Sequence, residues 1–151
     1  MRRLRQYLAL TPAARALVRR SLLLLPLAAT LLRARGMAHT KASLDRLGRR
    51  TSPDSAALTP REIARLVDAA ASLLGTRCLP RSIVLCHLLR HGGVAGEMRL
   101  GVSKLPDGSL SAHAWVELDG QVLNDGADVS DRYATLTSSA TRLRVHPPQQ
   151  L

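Results

Sequence analysis

Between Gly92 and Gly96 the spacing of apolar residues changes from helical to alternating. That switch restricts the chain to folds in which helices come first and a small sheet follows. Upstream, Thr59-Pro60-Arg61-Glu62 has the pattern of a capping box with proline at the first helical position, and Ile63, Leu66, Val67, Ala70 and Leu74 follow at helical spacing up to Gly75. A second helix starts almost at once: Pro80 suits a first turn, and Ile83, Val84, Leu88 and Leu89 form an apolar face that ends at Gly92-Gly93. Downstream, Met98, Leu100 and Val102 share one strand face, and Pro106-Asp107-Gly108 marks a turn. A strand follows, with Ala112, Ala114, Val116 and Leu118 on one face and His113, Trp115 and Glu117 on the other. The expectation is an α+β domain with helices packed on a small antiparallel sheet. At 151 residues it has room for one core, and with no Phe that core must be built from Leu, Val, Ile and Ala.

The net charge of +11 is confined to one segment: residues 1–50 hold 12 Lys+Arg and one acid, Asp45, whereas residues 51–151 hold 10 of each sign. This divides the chain into a basic helical N-terminal arm, 1–50, and a neutral domain, 51–151. A basic arm suits an acidic peptide, a partner protein, nucleic acid or an anionic surface, and is also what a solvated helix face looks like in an arginine-rich chain. Nucleic acid is disfavoured, since Tyr7 is the arm's only aromatic and no reader motif is present. The uncharged run 21–32 is 12 residues long, short of the roughly 20 that span a bilayer. Arg33 and Arg35 stand where a signal peptide would need small uncharged residues, which argues against secretion. Thr11-Pro12 predicts a helix start, with the helix kinked or stopped at Pro26 and docked on the domain or on a partner. Residues 36–58 read as a connection with at most one short helix.

Three reactive residue types appear in the order Cys78, His113, Asp125. Cys78 falls at or just before a helix N-terminus, where free backbone N–H groups and the helix dipole favour a thiolate and could hold an oxyanion; Arg77 and Arg81 add positive charge. A lone cysteine is otherwise more often a small core residue. Cys86 lies eight residues along the same helix, about 12 Å away at helical rise and beyond the roughly 7 Å reach of a disulfide. Both thiols are therefore expected free, as in a reducing, cytoplasmic setting, with Cys86 buried. Cys86, His87 and His91 have zinc-ligand chemistry but lack a fourth ligand, so no metal or cofactor is called for.

Whether Asp125 reaches His113 depends on the turn at Leu118-Asp119-Gly120. A type I turn closed by Gly120 as a bulge pairs Glu117 with Gln121 and sets His113 directly across from Asp125. A two-residue Asp119-Gly120 turn puts Ala114 opposite Asp125 and turns the carboxylate away. The bulged form is the expected one, with Asp128 and Asp131 as substitute carboxylates. The chemistry that follows is acyl transfer, with Cys78 as nucleophile, His113 as base and Asp125 orienting the ring.

Arg77-Cys78-Leu79-Pro80-Arg81-Ser82, Gly101-Val102, Ala112-His113-Ala114-Trp115-Val116-Glu117 and Asp125 together resemble the transglutaminase-like cysteine peptidases of lasso-peptide biosynthesis, over residues 59–136. The resemblance implies a transglutaminase-like, papain-like core, with Cys78, His113 and Asp125 catalytic. It implies removal of the leader from a ribosomally made precursor peptide, after which a separate ATP-dependent cyclase closes the macrolactam. Residues 1–58 are too few and too rich in Leu and Arg for a fused winged-helix leader-recognition domain. The stand-alone form therefore implies a small separate leader-binding partner. Other transglutaminase-like chemistry, amide exchange or deamidation, would use the same three residues, and a non-catalytic peptide-binding module would keep the strands without needing the thiol.

Overall fold

The computed structural model describes residues 7, 9–48 and 58–136. The expected turn stretch Thr51-Ser52-Pro53-Asp54-Ser55 and the first six residues lie outside this range.

Helix α1, Pro12–Gly48, starts where Thr11 and Pro12 predict. Thr11 Oγ1 accepts from the Ala14 N–H at 3.2 Å, satisfying one of the first-turn donors. The helix is not stopped at Pro26, which lies inside it on the exposed side. The break comes ten residues later at Gly36, whose φ of 75° and ψ of −179° belong to a region almost reserved for glycine. A helical second half follows, its first turn tied by Thr40 Oγ1 donating to the Gly36 carbonyl at 2.8 Å. Much of the expected connection at 36–58 is thus helix.

Leu17, Leu24, Leu25 and Ala28 from the first half of α1, and Leu44 from the second, enter one core with the helices and sheet that follow. The first four make a short stripe before the Gly36 break, and Leu44 is the one of the five that follows it. One side of the Leu-rich run is therefore packing surface on the domain, while Leu23 and Leu27 on its other side are exposed.

Helix α2, Pro60–Leu74, carries the predicted capping box in full: Thr59 Oγ1 accepts from the Glu62 N–H, and the Glu62 carboxylate accepts from the Thr59 N–H. Gly75 ends it in the left-handed conformation, with its N–H and that of Thr76 directed to the last carbonyls. Its buried face is Ile63, Ala64, Val67, Ala70 and Ala71. Leu74, expected on that face, is 46% exposed, because alanines carry the close contact instead.

Helix α3, Cys78–His91, is central: from Ser82 to Leu89 every residue is buried, since α1, α2 and the sheet all pack on it. The sheet is antiparallel in the order β3-β2-β1-β4, from Glu97–Lys104 (β1), Leu110–Leu118 (β2), Gln121–Val122 (β3) and Ala134–Leu136 (β4). A short helix α4, Val129–Arg132, precedes β4. In the β1–β2 register Leu100 is opposite Ala114 and Met98 opposite Val116, so these apolar residues share a face. Ser82 of α3 donates to the Ala114 carbonyl at 3.0 Å, which fixes helix to strand.

Trp115 points the other way and is fully buried. Gly101 gives it space: a Cβ there would meet the Tyr133 Cβ at 2.8 Å and two Trp115 ring carbons at 2.9 Å. The architecture is the expected α+β, helix-rich with a small antiparallel sheet.

Candidate active site

Asp119 and Gly120 have φ values of 50° and 77°. Two positive φ angles make a two-residue turn, and the ladder agrees, pairing Leu118 with Gln121 and Glu117 with Val122. The expected bulged register is therefore wrong. In the observed register Asp125 would face Ala114, yet His113 and Asp125 are hydrogen-bonded, Nε2 to Oδ2, at 2.5 Å.

The reason is that β3 leaves the sheet early. Leu123 N–H still donates to the Val116 carbonyl at 2.9 Å, but the Val116 N–H is taken by the side chain of Asn124, its Oδ1 at 2.8 Å. The amide replaces the backbone partner the ladder would have supplied, which frees the chain to turn and carry Asp125 to the imidazole. Asn124 is 4% exposed, and its Nδ2 donates to Ser82 Oγ at 3.2 Å. Ser82, Ala114 and Asn124 thus join α3, β2 and the departing strand directly beneath the His–Asp pair.

Asp125 is held from several directions. Oδ1 accepts from Arg132 at 2.9 Å and from the Gly126 N–H at 2.8 Å, and the Arg81 guanidinium lies 4.0 Å from Oδ2. Burial pushes its carboxyl up, but hydrogen bonds from His113, the Gly126 N–H and Arg132 outweigh that and leave it below the ordinary carboxylate range. It is therefore an ionised carboxylate hydrogen-bonded to the imidazole. Of the two substitute carboxylates, Asp128 pairs with Arg132 at 2.9 Å, and among the described residues the carboxylate bonded to His113 is that of Asp125.

The imidazole itself is fixed by aromatic neighbours. Its ring stacks on Tyr133 at 4.9 Å and on Trp115 at 6.2 Å between centroids. Trp115 Nε1 donates to Glu117 at 2.8 Å, and Arg99 bridges Glu117 and Glu97 at 2.9 and 2.8 Å. That bridge also relieves the repulsion between two glutamates paired across β1 and β2. With Nε2 engaged by Asp125, Nδ1 is the nitrogen left for proton transfer.

Cys78 occupies the first position of α3 and is half-buried. Arg77, the N-cap, makes no side-chain cap, so the first-turn N–H groups have no capping side chain. Such a terminus favours negative charge on sulfur or on a substrate oxygen. The same first turn reaches the His–Asp pair through Arg81, three residues on, and the next turn through Ser82, bonded at Ala114 beside His113. Cys86, one of two free cysteines, is buried; its thiol is pushed up to about 11 by burial and donates to the Gly96 carbonyl at 3.6 Å.

Sequence reasoning missed Ser82, Asn124, Arg132, Tyr133 and Asp68. Asp68, on α2, faces Arg81 at 3.6 Å. Only Asn124, adjacent to Asp125, and Ser82, one turn from Cys78 in an apolar helix, carried a signal in their positions.

A helix-opening cysteine set against an antiparallel sheet that carries a His–Asp pair is a layout suited to thiol-based acyl chemistry. The chain belongs to the transglutaminase-like superfamily, whose family model matches residues 8–138; its members are generally cysteine-protease-like or acyltransferase-like. No curated protein and no solved structure shows a significant match. The match begins inside the basic segment, in keeping with the place of α1 in the core. Among the described residues no helix is long and apolar enough to cross a membrane.

Proposed function

We propose that this protein is a cysteine peptidase that removes the leader from a ribosomally made lasso-peptide precursor, working in the cytoplasm with a small separate winged-helix-type leader-binding protein and, downstream, an ATP-dependent cyclase. The observation that carries the reading is the His113–Asp125 pair on the sheet next to a helix that opens with Cys78. The motif resemblance around those three residues supplies the substrate class.

The chemistry uses the chain's own groups. His113 Nδ1 takes the proton of Cys78, and the thiolate attacks the carbonyl carbon of the scissile peptide bond. The oxyanion is held by first-turn N–H groups of α3. The imidazolium, steadied by Asp125, gives its proton to the departing amine as the C–N bond breaks, which frees the core peptide with a new N-terminus. Water, deprotonated by the same imidazole, then hydrolyses the thioester and returns the leader as a carboxylate. Amide exchange or deamidation would share the first half and differ in what attacks the thioester or in which amide is cleaved.

The basic residues of the N-terminal segment serve as the docking face for the leader complex in this proposal. Arg19, Arg33, Arg35 and Arg46 are exposed on α1, so reversing their charge tests docking without removing core leucines. The decisive experiment is mass spectrometry of the precursor incubated with the protein and its partner, for wild type and Cys78→Ala. Cleavage at one bond by wild type alone supports the proposal. Cleavage that survives Cys78→Ala, or a product mass showing transfer, overturns it.

A further inference from the structure

Asp68 lies on α2 next to fully buried Val67; its side chain is 31% exposed, but its Oδ1 is buried and has no hydrogen-bond partner among the described residues. Among the described residues the cation facing it is Arg81 of α3, whose buried Nε also lacks a hydrogen-bond partner and lies 3.6 Å from that oxygen. The other end of the same guanidinium lies 4.0 Å from Oδ2 of Asp125, which holds His113. Asp68, Arg81 and Asp125 therefore form a line of alternating charge running from α2 to the carboxylate that holds His113, and Arg81 is one helical turn from Cys78.

We propose that Asp68 is a positioning residue of this site, which sets through Arg81 how much positive charge acts on Asp125 and on the first turn of α3. The proposal rests on the assignment of Cys78 as nucleophile. With Asp68 ionised, Arg81 is shared between two carboxylates and its field at the start of α3 is reduced. With Asp68 protonated, Arg81 acts undivided on Asp125 and, from one helical turn away, on a thiolate at Cys78, whose negative charge an opposite charge favours.

The charged groups acting on Asp68 are Arg81, from α3, and Asp125, from the segment after β3. Burial raises its carboxyl to about 6, Arg81 opposing and Asp125 reinforcing. Those acting on Asp125 are His113 from β2, Arg132 from α4 and Arg81. Asp68 thus changes charge within a physiological range while Asp125 stays ionised.

The test needs no substrate. The rate of alkylation of Cys78 by iodoacetamide is followed from pH 4.5 to 9 on the full-length protein, for wild type, Asp68→Asn, Asp68→Glu, Arg81→Gln and His113→Ala, each first checked for a wild-type circular dichroism spectrum. Cys86 is silent in this range, because its thiol is pushed to about 11. In wild type the profile should carry an inflection near pH 6 in addition to the thiolate rise. In Asp68→Asn that inflection should vanish and reactivity at pH 6.5 should increase on the order of threefold, about half a pKa unit. Arg81→Gln should also erase the inflection but move the rise the opposite way, to higher pH, and Asp68→Glu should restore it.

A profile for Asp68→Asn superimposable on wild type overturns the proposal, and so does an Arg81→Gln shift of the same sign as that of Asp68→Asn. If instead His113→Ala leaves the wild-type profile unchanged, the Cys78–His113 pairing itself fails and this proposal falls with it. If Asp68→Asn does not fold, Arg81→Gln alone decides: loss of the inflection with a rise at higher pH supports the proposal, and an unchanged profile overturns it.

Discussion

The two ends of α3 carry the same chemical types and treat them oppositely. At its N-terminus Cys78 is half-buried, and the first turn it opens reaches, through Arg81, an ionised carboxylate that is hydrogen-bonded to an imidazole. Towards its C-terminus Cys86 and His87 are adjacent and buried: the thiol is pushed up to about 11, and the ring, 7% exposed with no hydrogen bond to Nδ1 among the described residues and Asp45 3.9 Å from it, is pushed down to about 4. For His87 burial dominates, His91 adds to it, and Asp45 opposes it. A thiol and an imidazole become reactive through a charged partner and access to solvent, not through proximity in sequence; without these, burial holds both neutral.

The largest effect should come from exchanging the two cysteines' fates. Cys78→Ala or His113→Ala is expected to lower precursor cleavage by about a thousandfold or more, since residues acting as one unit fail together. Cys86→Ala should leave cleavage intact and cost about 1 kcal/mol in urea unfolding, as a small cavity does. Equal loss of activity in both cysteine variants would erase the contrast between the two ends. Next in size, Asp125→Asn keeps the shape but not the charge, and is expected to cost between about a hundredfold and ten-thousandfold in kcat/KM. A loss below tenfold would mean that the carboxylate orients nothing of consequence.

A smaller but sharper test concerns what holds the reactive end together. Asn124→Ala leaves the buried Val116 N–H without a partner and removes the donor to Ser82 Oγ, which keeps its bond to the Ala114 carbonyl, and should cost about 1–3 kcal/mol in denaturant unfolding. Asn124→Ala and Ser82→Ala should be non-additive, because they belong to one network. Activity should fall too, as Asp125 loses the turn that carries it to His113. A fully stable Asn124→Ala would show that the strand's early departure has another cause.

Local features were legible in the sequence: the Thr59–Glu62 capping box, the Gly75 stop, the start of α3 at Cys78, the alternation of β2. Each is decided within a few residues by backbone propensity and capping. The pairing of His113 with Asp125 was also anticipated, but through a register that the structure does not have. Asp119-Gly120 takes the tighter turn, and the side chain of Asn124, standing in for backbone, does what the bulge was expected to do. That substitution, like the approach of Asp68 to Arg81, depends on contacts between segments distant in sequence, which spacing does not encode. The continuity of α1 was obscured by Pro26, a strong breaker on paper. On the exposed side of a helix whose other face is buried, packing outweighs the lost hydrogen bond, and the break falls at Gly36, where only glycine accepts the required φ.

The smallest effect separates by pH a group near each end of α3, His87 within it and Asp68 facing its first turn from α2, and its sign differs between them. His87 has a folded value of about 4 against an ordinary 6.5, so its contribution to stability is complete above about 6.5 and is lost as pH falls towards 4. Asp68 is raised from 3.8 to about 6, so its contribution is complete below 3.8 and is lost as pH rises through 6. Between pH 4 and 6 the two oppose each other, and wild-type stability should vary less than either alone would dictate. Urea midpoints across that window should therefore diverge: relative to wild type, Asp68→Asn should gain stability with rising pH, because only the histidine's dependence remains, and His87→Leu should lose it, because only the aspartate's remains. Parallel curves for both variants would mean that burial does not set the charge of either group, and the contrast between the ends of α3 would reduce to solvent access alone.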